Sequence, residues 1–264
     1  MNKWENLKSE RLGEVKLSNE GCEMKIIEYN GRHDIMVEFQ DEYKAKVHTC
    51  YGNFKSGKVK NPYHKSVYNV GYLGIGEYRC KNEGKYTKEY TAWHSMLQRC
   101  YDPYELNRCP TYINCFVCNE WHNFQNFAKW YKENYYECND EKMCLDKDIL
   151  IKGNKIYSPD TCMIVPERIN TLFLKQKSVR GKYPIGVYWC KERNKYHVHF
   201  QMYDETIKKS KPNFIGRYDT IEEAFLNYKQ FKENNIKQTA DKYKDLIPQK
   251  LYEALYKYEV EIND

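Results

Sequence analysis

The stretch LDKDILIKGNKIYSPDTCMIVPERIN, residues 145–170, constrains the fold more than any other part of the chain. It reads as a strand, a glycine-bearing loop, a second short strand and the start of a helix. In a strand, Asp146 and Asp148 point to one face, because side chains alternate with period two. Pro166 suits a first helical turn, which puts Asn170 about one turn into that helix. A helix folded back on the hairpin would bring two carboxylates and a carboxamide toward one hard cation. Magnesium takes oxygen ligands, usually one or two carboxylates with water and substrate phosphate completing the set. The pattern predicts a site for cutting a phosphodiester, given another part of the chain to hold nucleic acid.

The distribution of charge supplies that part. The net charge of +6 over 264 residues excludes a uniform polycation. Residues 43–65, however, carry Lys44, Lys46, Lys55, Lys58, Lys60 and Lys65 and no acid. Residues 182–217 carry Lys182, Lys191, Arg193, Lys195, Lys208, Lys209, Lys211 and Arg217 against Glu192, Asp204 and Glu205. Aromatic residues interleave both windows, among them Tyr63 in the first. Basic and stacking groups together fit a clamp on a polyanion, here double-stranded DNA. The plainer alternative is two solvated loops in a lysine-rich protein.

No apolar run approaches the ~18 residues of a membrane span, and the charged start MNKWENLKSERLGEV is no signal peptide. Eleven cysteines, an odd number, are scattered through the chain. Free thiols in a reducing cytoplasm are the expectation.

Along the chain, residues 1–80 look β-rich, with strands at MKIIEY (24–29), DIMVEF (34–39) and YKAKVH (43–48). The first two are joined by a turn at Asn30-Gly31. Residues 88–101 place Tyr90, Trp93, Met96, Leu97 and Cys100 on one helical face. Residues 119–135 do the same with Trp121, Phe124, Phe127, Ala128 and Tyr131, and both stripes read as core. Residues 182–264 show three short strands, GVYW, YHVHFQ and NFIGRY. A capping pattern at Thr220 and Glu223 opens a helix bearing Ile221, Ala224, Phe225, Tyr228 and Phe231. A last helix begins near Pro248. The expected class is α+β: a β-rich module at 1–80, an α+β unit at 86–178, and a three-stranded sheet packed on a helix, with a helical tail, at 182–264.

The middle block resembles the HNH-type homing endonucleases of bacteriophages. The motifs are W-x-x-M-L-x-R-C-Y at 93–101, V-C-x-E-W-x-x-F-x-x-F at 117–127, then LDKDI, GNK, YSPDTC and VPERIN. The resemblance implies a site on a β-hairpin and helix with one magnesium or manganese ion. It makes Asp146 the first metal ligand and Asn170 the helix ligand, with Asp148 beside them. Lys147 stands where the family has a histidine that activates water. A free lysine, with a pKa of about 10.4, is a poor base near neutrality, and two neighbouring carboxylates push it further up. Lys147 is therefore expected to touch the phosphate. The departure also leaves open an inactive protein of the same architecture.

The third block, over about 182–234, resembles the plant Apetala-type DNA-binding domain through GVYW at 186–189, KYHVHF at 195–200, FIGRY at 214–218 and TIEEAFLNY at 220–228. By that resemblance Trp189, Lys191, Arg193, Lys195, His197, His199 and Arg217 are candidate DNA contacts. Trp189 has a core reading as well. The N-terminal block, with NEGCEMKIIEY and NFKSGKVKNPY, looks like a small module found beside phage nucleases, and Lys55, Lys58, Lys60 and Tyr63 are its candidate contacts.

Cys115 and Cys118 form a CxxC with Cys100 and Cys109 upstream, but the 100–109 spacing is too loose for a zinc knuckle. Structural zinc is not expected. His94 and His122 read as surface or capping residues, with His122 a minor candidate base. The whole predicts a sequence-recognising, nicking DNA endonuclease acting as a monomer. Its first rival is a catalytically silent DNA-binding regulator or blocker of another nucleic-acid machine. A third reading is a factor whose basic faces meet an acidic protein.

Overall fold

The computed structural model describes residues 3–174, 182–204, 206–207 and 209–264. It is mixed α and β, 35% helix and 26% strand in several small sheets, which matches the expected class at that level. The chain divides into two compact units. One comprises Met1–Glu133 with Lys155–Asp160, the other Asn134–Asn154 with Thr161–Asp264.

The first unit opens with α1 (Lys3–Arg11) and a four-stranded antiparallel sheet in the order β1 (Val15–Leu17), β2 (Glu23–Gly31), β3 (Asp34–Phe39), β4 (Lys46–Thr49). Alternation in β3 drives one face inward: Ile35, Val37 and Phe39 are fully buried, with Met24 and Ile26 of β2 beside them. The hairpin turn differs from the expected Asn30-Gly31. Gly31 pairs with Asp34, so Arg32 and His33 make the turn. A bulge between Tyr29 and Gly31 accompanies that shift and keeps both Tyr29 and Ile35 buried.

After α2 (Tyr51–Lys55) and the small hairpin of β5 (Lys81–Asn82) and β6 (Lys85–Tyr86) come three helices: α3 (Lys88–Tyr101), α4 (Pro103–Arg108) and, past β7 (Phe116–Val117), α5 (Phe124–Asn134). The aromatic stripes are core: Trp93, Met96, Leu97, Trp121, Phe124, Phe127 and Ala128 are fully buried. The Trp93 indole donates to the Trp121 carbonyl at 2.7 Å, which satisfies a buried donor.

The chain then enters the second unit with β8 (Met143–Asp146). It returns to the first for β9 (Ile156–Tyr157), which pairs in parallel with β7. In the second unit β10 (Met163–Pro166) pairs antiparallel with β8, and α6 (Glu167–Thr171) follows at once and packs on both. A three-stranded antiparallel sheet then forms from β11 (Val187–Cys190), β12 (Lys195–Asp204) and β13 (Lys209–Tyr218). It is covered on one face by α7 (Ile221–Tyr243), and α8 (Gln249–Lys257) packs on α7. The Thr220 hydroxyl caps α7 by accepting from the Glu223 amide at 3.2 Å. Gly186 permits the close approach of helix to sheet. Its φ is +76°, and a Cβ there would lie 2.2 Å from the Tyr228 ring.

Candidate functional site

Asp146 is the last residue of β8, and the strand stops there rather than running on to Asp148. The cause is local. Asp146 Oδ1 accepts from the amides of Asp148 (2.8 Å) and Ile149 (2.7 Å), which turns the chain out of the strand. The expected same-face strand pair is thus a strand end and a turn residue. Within this turn one Asp146 oxygen is held by two amides, and no other described residue bonds Oδ2. Burial and the neighbouring Asp148 charge push the Asp146 carboxyl up to about 6, against the pull of those two amides and Lys147.

Lys147 is buried and faces inward. Its ammonium donates to Asp148 Oδ2 (2.9 Å) and to the Asn154 carbonyl (2.9 Å), while Asn154 Nδ2 donates to the Lys147 carbonyl (2.7 Å). The lysine expected to reach a phosphate instead closes the loop 147–154 from inside. A charged donor with two acceptors satisfies its desolvation locally.

Asn170 lies on α6, next to Ile169, which is fully buried with Ile149 and Val165. Because Ile169 anchors the helix against the loop after Asp146, α6 folds back on the hairpin as the sequence pattern required. Pro166 is the N-cap of α6, one position before the first helical turn. Asp146 and Asp148 carry carboxylate oxygens and Asn170 a carboxamide oxygen, the hard donor types that magnesium or manganese takes, and Asp148 Oδ2 is already bonded by Lys147. Among the described residues no cluster of three or more His, Cys, Asp or Glu side chains is placed to hold a metal.

The second group of candidates lies on the C-terminal sheet. Register puts Tyr188 opposite His197, and His197 opposite Arg217. The Tyr188 hydroxyl bridges the two imidazoles, 3.2 Å from His197 Nδ1 and 2.6 Å from His199 Nε2. Phe214 packs edge-on to both histidine rings, and the Arg217 guanidinium sits 5.1 Å over Phe214. Burial and the adjacent His197 lower the His199 pKa, which favours a neutral ring near pH 7.

No family model matches the chain, and no curated protein or solved structure matches it either.

The remaining candidates divide clearly. Lys195 shares the open face and pairs with Asp219 at 2.5 Å. Lys191 and Arg193 are exposed in the turn between β11 and β12, off the strand faces. Trp189 lies on the opposite face, with Val187, its ring edge-on to Tyr196 at 4.7 Å. The ring is half-buried there and lies outside the apolar core of that sheet. In the first unit, Lys55, Lys58 and Lys60 are all exposed, at the end of α2 and just beyond. Tyr63 is half-buried beneath Tyr43, the two rings stacked at 4.4 Å. His122 Nε2 lies 3.1 Å from the Val117 carbonyl and donates to it, which commits that ring to a structural bond.

Sequence reasoning missed Tyr188 and Phe214. Tyr188 was readable, because its alternation with Val187 and Trp189 places it on the face of His197 and His199. Phe214 was not, because a bulge between Val198 and His199 resets which β13 residue lies opposite.

Proposed function

We propose that the chain is a divalent-metal-dependent DNA endonuclease with an HNH-like site on β8, β10 and α6. The observation that carries this reading is Asp146. It is a half-buried carboxylate pressed against Asp148, with one oxygen fixed by two amides and the other left for a cation. Asp146 and Asn170, with Asp148 beside them, would hold magnesium or manganese. Such an ion supplies water activation and phosphoryl polarisation when bound. The chain's own residues do the rest. The two amides on Oδ1 fix the carboxylate, Lys147 and Asn154 hold the loop closed, and Ile169 sets the position of the helix carrying Asn170. The open sheet face supports DNA reading through Tyr188, His199 and Arg217, whose donors and acceptors suit base edges in a groove, whereas His197, expected as a contact, is buried at 8% exposure and backs Tyr188 instead. The exposed lysines 55, 58 and 60 support phosphate holding. One such site per chain fits nicking of one strand by a monomer.

A second reading is a DNA-binding protein without cleavage. It is favoured by the inward Lys147, whose ammonium is held by Asp148 and the Asn154 carbonyl where the nuclease family has its histidine. The two are separated by incubating the chain with duplex DNA from its own genetic neighbourhood, with magnesium or manganese, and mapping cuts. Asp146→Ala is expected to lower cutting by at least ~10³-fold, the scale of losing a metal-held charge clamp, while duplex affinity stays within about twofold. Manganese should raise the melting temperature of the parent and not of Asp146→Ala, because only the parent gains binding free energy on folding. An unchanged cutting rate in Asp146→Ala would remove the endonuclease reading from this hairpin.

A further inference from the structure

The first unit contains a pocket that none of the above uses. It lies between the β3–β4 turn and the segment 61–69. The turn is built by Asp41, whose Oδ1 accepts from the amides of Tyr43 and Lys44, both at 3.1 Å. Asp41 Oδ2 in turn accepts from the buried Asn61 side chain at 2.5 Å, and Asn61 Oδ1 accepts from the Tyr63 amide. One asparagine therefore ties both walls together. The result is a short aromatic stack. Tyr43 lies flat on Tyr63 at 4.4 Å and 7°, and Tyr72 lies beside both rings, 5.7 Å from Tyr63 and 6.1 Å from Tyr43. Tyr63 covers one face of the Tyr43 ring, and Tyr43 is still 45% exposed.

The rest of the lining is polar. Glu42 is exposed at the rim, and Lys65 and Asn69 stand on the far wall. Backbone strain gathers in the two segments that frame the pocket: Lys44, Tyr68 and Asn69 have φ of 48°, 52° and 58°, the left-handed region that non-glycine residues rarely adopt. Strain of this kind persists where the surrounding structure holds it, often at ligand sites.

We propose that this pocket takes an unpaired guanine base, stacked on the open face of Tyr43, with its N1–H and N2–H groups donating to Glu42. An exposed tyrosine face extending an existing stack is the platform on which single-stranded bases sit. A carboxylate only accepts hydrogen bonds, and guanine is the base whose Watson–Crick edge presents two adjacent donors. Asp41 does not compete for this role, since both its oxygens are held within the protein. Lys65 on the far wall, and Lys44 next to Tyr43 in the chain, supply charge for the attached phosphates. A base in a closed duplex presents neither its ring face nor that edge, so the pocket selects a flipped or single-stranded nucleotide. This inference rests on the DNA-binding reading above and adds an unpaired-base subsite to it.

The test uses short single-stranded thymine oligonucleotides with one central guanine, adenine, cytosine or thymine, bound to the full chain without divalent metal. The guanine strand is expected to bind about tenfold tighter than the others, the scale of a hydrogen bond to a charged acceptor that the other bases cannot make. Tyr43→Ala and Glu42→Gln should each remove that preference, and Tyr43→Phe, which keeps the ring, should retain it. Cys22 Sγ lies 3.6 Å from His64 Nδ1 on the wall of the same pocket, which makes it a reporter. The guanine strand should slow its alkylation by iodoacetamide several-fold, while the all-thymine strand should not. Equal affinity for all four centres, or a guanine preference that survives Tyr43→Ala, overturns the proposal. If it fails while duplex binding and Asp146-dependent cutting persist, only the base subsite is lost. If the chain binds no DNA in any form, the endonuclease reading falls with it.

Discussion

Across the outward face of the N-terminal sheet, pairing sets Lys25 beside Glu38 and Glu38 beside Lys46, and in the next row Glu28, Met36 and His48. Across the outward face of the C-terminal sheet it sets Tyr188, His197 and Arg217 in a row, with His199 opposite Phe214. Both sheets are antiparallel and both bury an apolar face of alternating residues. Their free faces differ in kind. The first is a ladder of alternating charge, each cation flanked by a carboxylate, which is how a solvated sheet face stabilises itself cross-strand. The second joins rings, imidazoles and one guanidinium with no carboxylate in the row. A sheet that needs only water has no use for such a face, whereas one that meets base edges does. Fold and burial alone would treat the two sheets alike; the difference lies in the outward residues.

The contrast extends to how each sheet is closed. Gly21, in the turn before β2, and Gly186, before β11, have nearly equal φ of +77° and +76°. Around Gly21 nothing lies within 4 Å of an added Cβ, while at Gly186 the Tyr228 ring would be 2.2 Å away. Alanine at either position pays the left-handed penalty of about 1–2 kcal/mol. At Gly186 overpacking adds about 1–3 kcal/mol. Gly186→Ala is therefore expected to lower stability by about 2–5 kcal/mol and Gly21→Ala by no more than about 2, compared by denaturant unfolding of each variant. Equal losses would mean that α7 shifts freely on its sheet, and that the open face has no fixed backing.

The second contrast is in binding. Tyr188→Ala, His199→Ala and Arg217→Ala should each cost about 1–3 kcal/mol toward a preferred duplex, roughly 5- to 150-fold, and relax preference at one or two base pairs. Lys25→Ala and Lys46→Ala on the charge ladder should leave both affinity and preference nearly unchanged. Selection of sites from random duplexes with each variant reads this directly. A preference that survives Arg217→Ala but is lost in Lys25→Ala would reverse the assignment of the two faces.

Much of this was legible in residues that repeat. Trp93, Met96, Leu97 and Cys100 fall on one helical stripe, and Ile35, Val37 and Phe39 on one strand face. Periods of 3.6 and 2 carry such information without reference to the rest of the chain. What stayed hidden depended on single hydrogen bonds. LDKDI has the residues of a strand, yet Asp146 prefers two backbone amides ahead of it and ends the strand at once. Lys147 has the sequence position of a site residue, but whether it points out or in is decided by the Asn154 carbonyl seven residues on. The Tyr43–Tyr63–Tyr72 stack joins segments with no common period, so no local pattern announces it. The ties from Asn61 to Asp41 and to the Tyr63 amide help bring those walls together.

The smallest expected effect at any one salt concentration concerns how, on the proposed function, the first unit would meet DNA, since its sheet face is charge-balanced. Basic groups off the sheet include Lys55, Lys58 and Lys60, exposed on and just beyond α2. Lysines on such a segment contact phosphate, which is the same at every base pair, so their loss should weaken all sequences alike. Each phosphate contact releases about one counterion. Replacing the three lysines together by alanine should flatten the slope of log affinity against log salt by about 2–3 units, leaving the preferred motif unchanged. The matching control replaces Lys25 and Lys46, whose charges are compensated across the strands by Glu38, and should leave the slope as it was. A slope that falls in the control and holds in the lysine triple would place the DNA on the charge ladder. The distinction between a solvated sheet and a reading sheet would then fail at its first half, because alternating charge would no longer identify a face that only water meets.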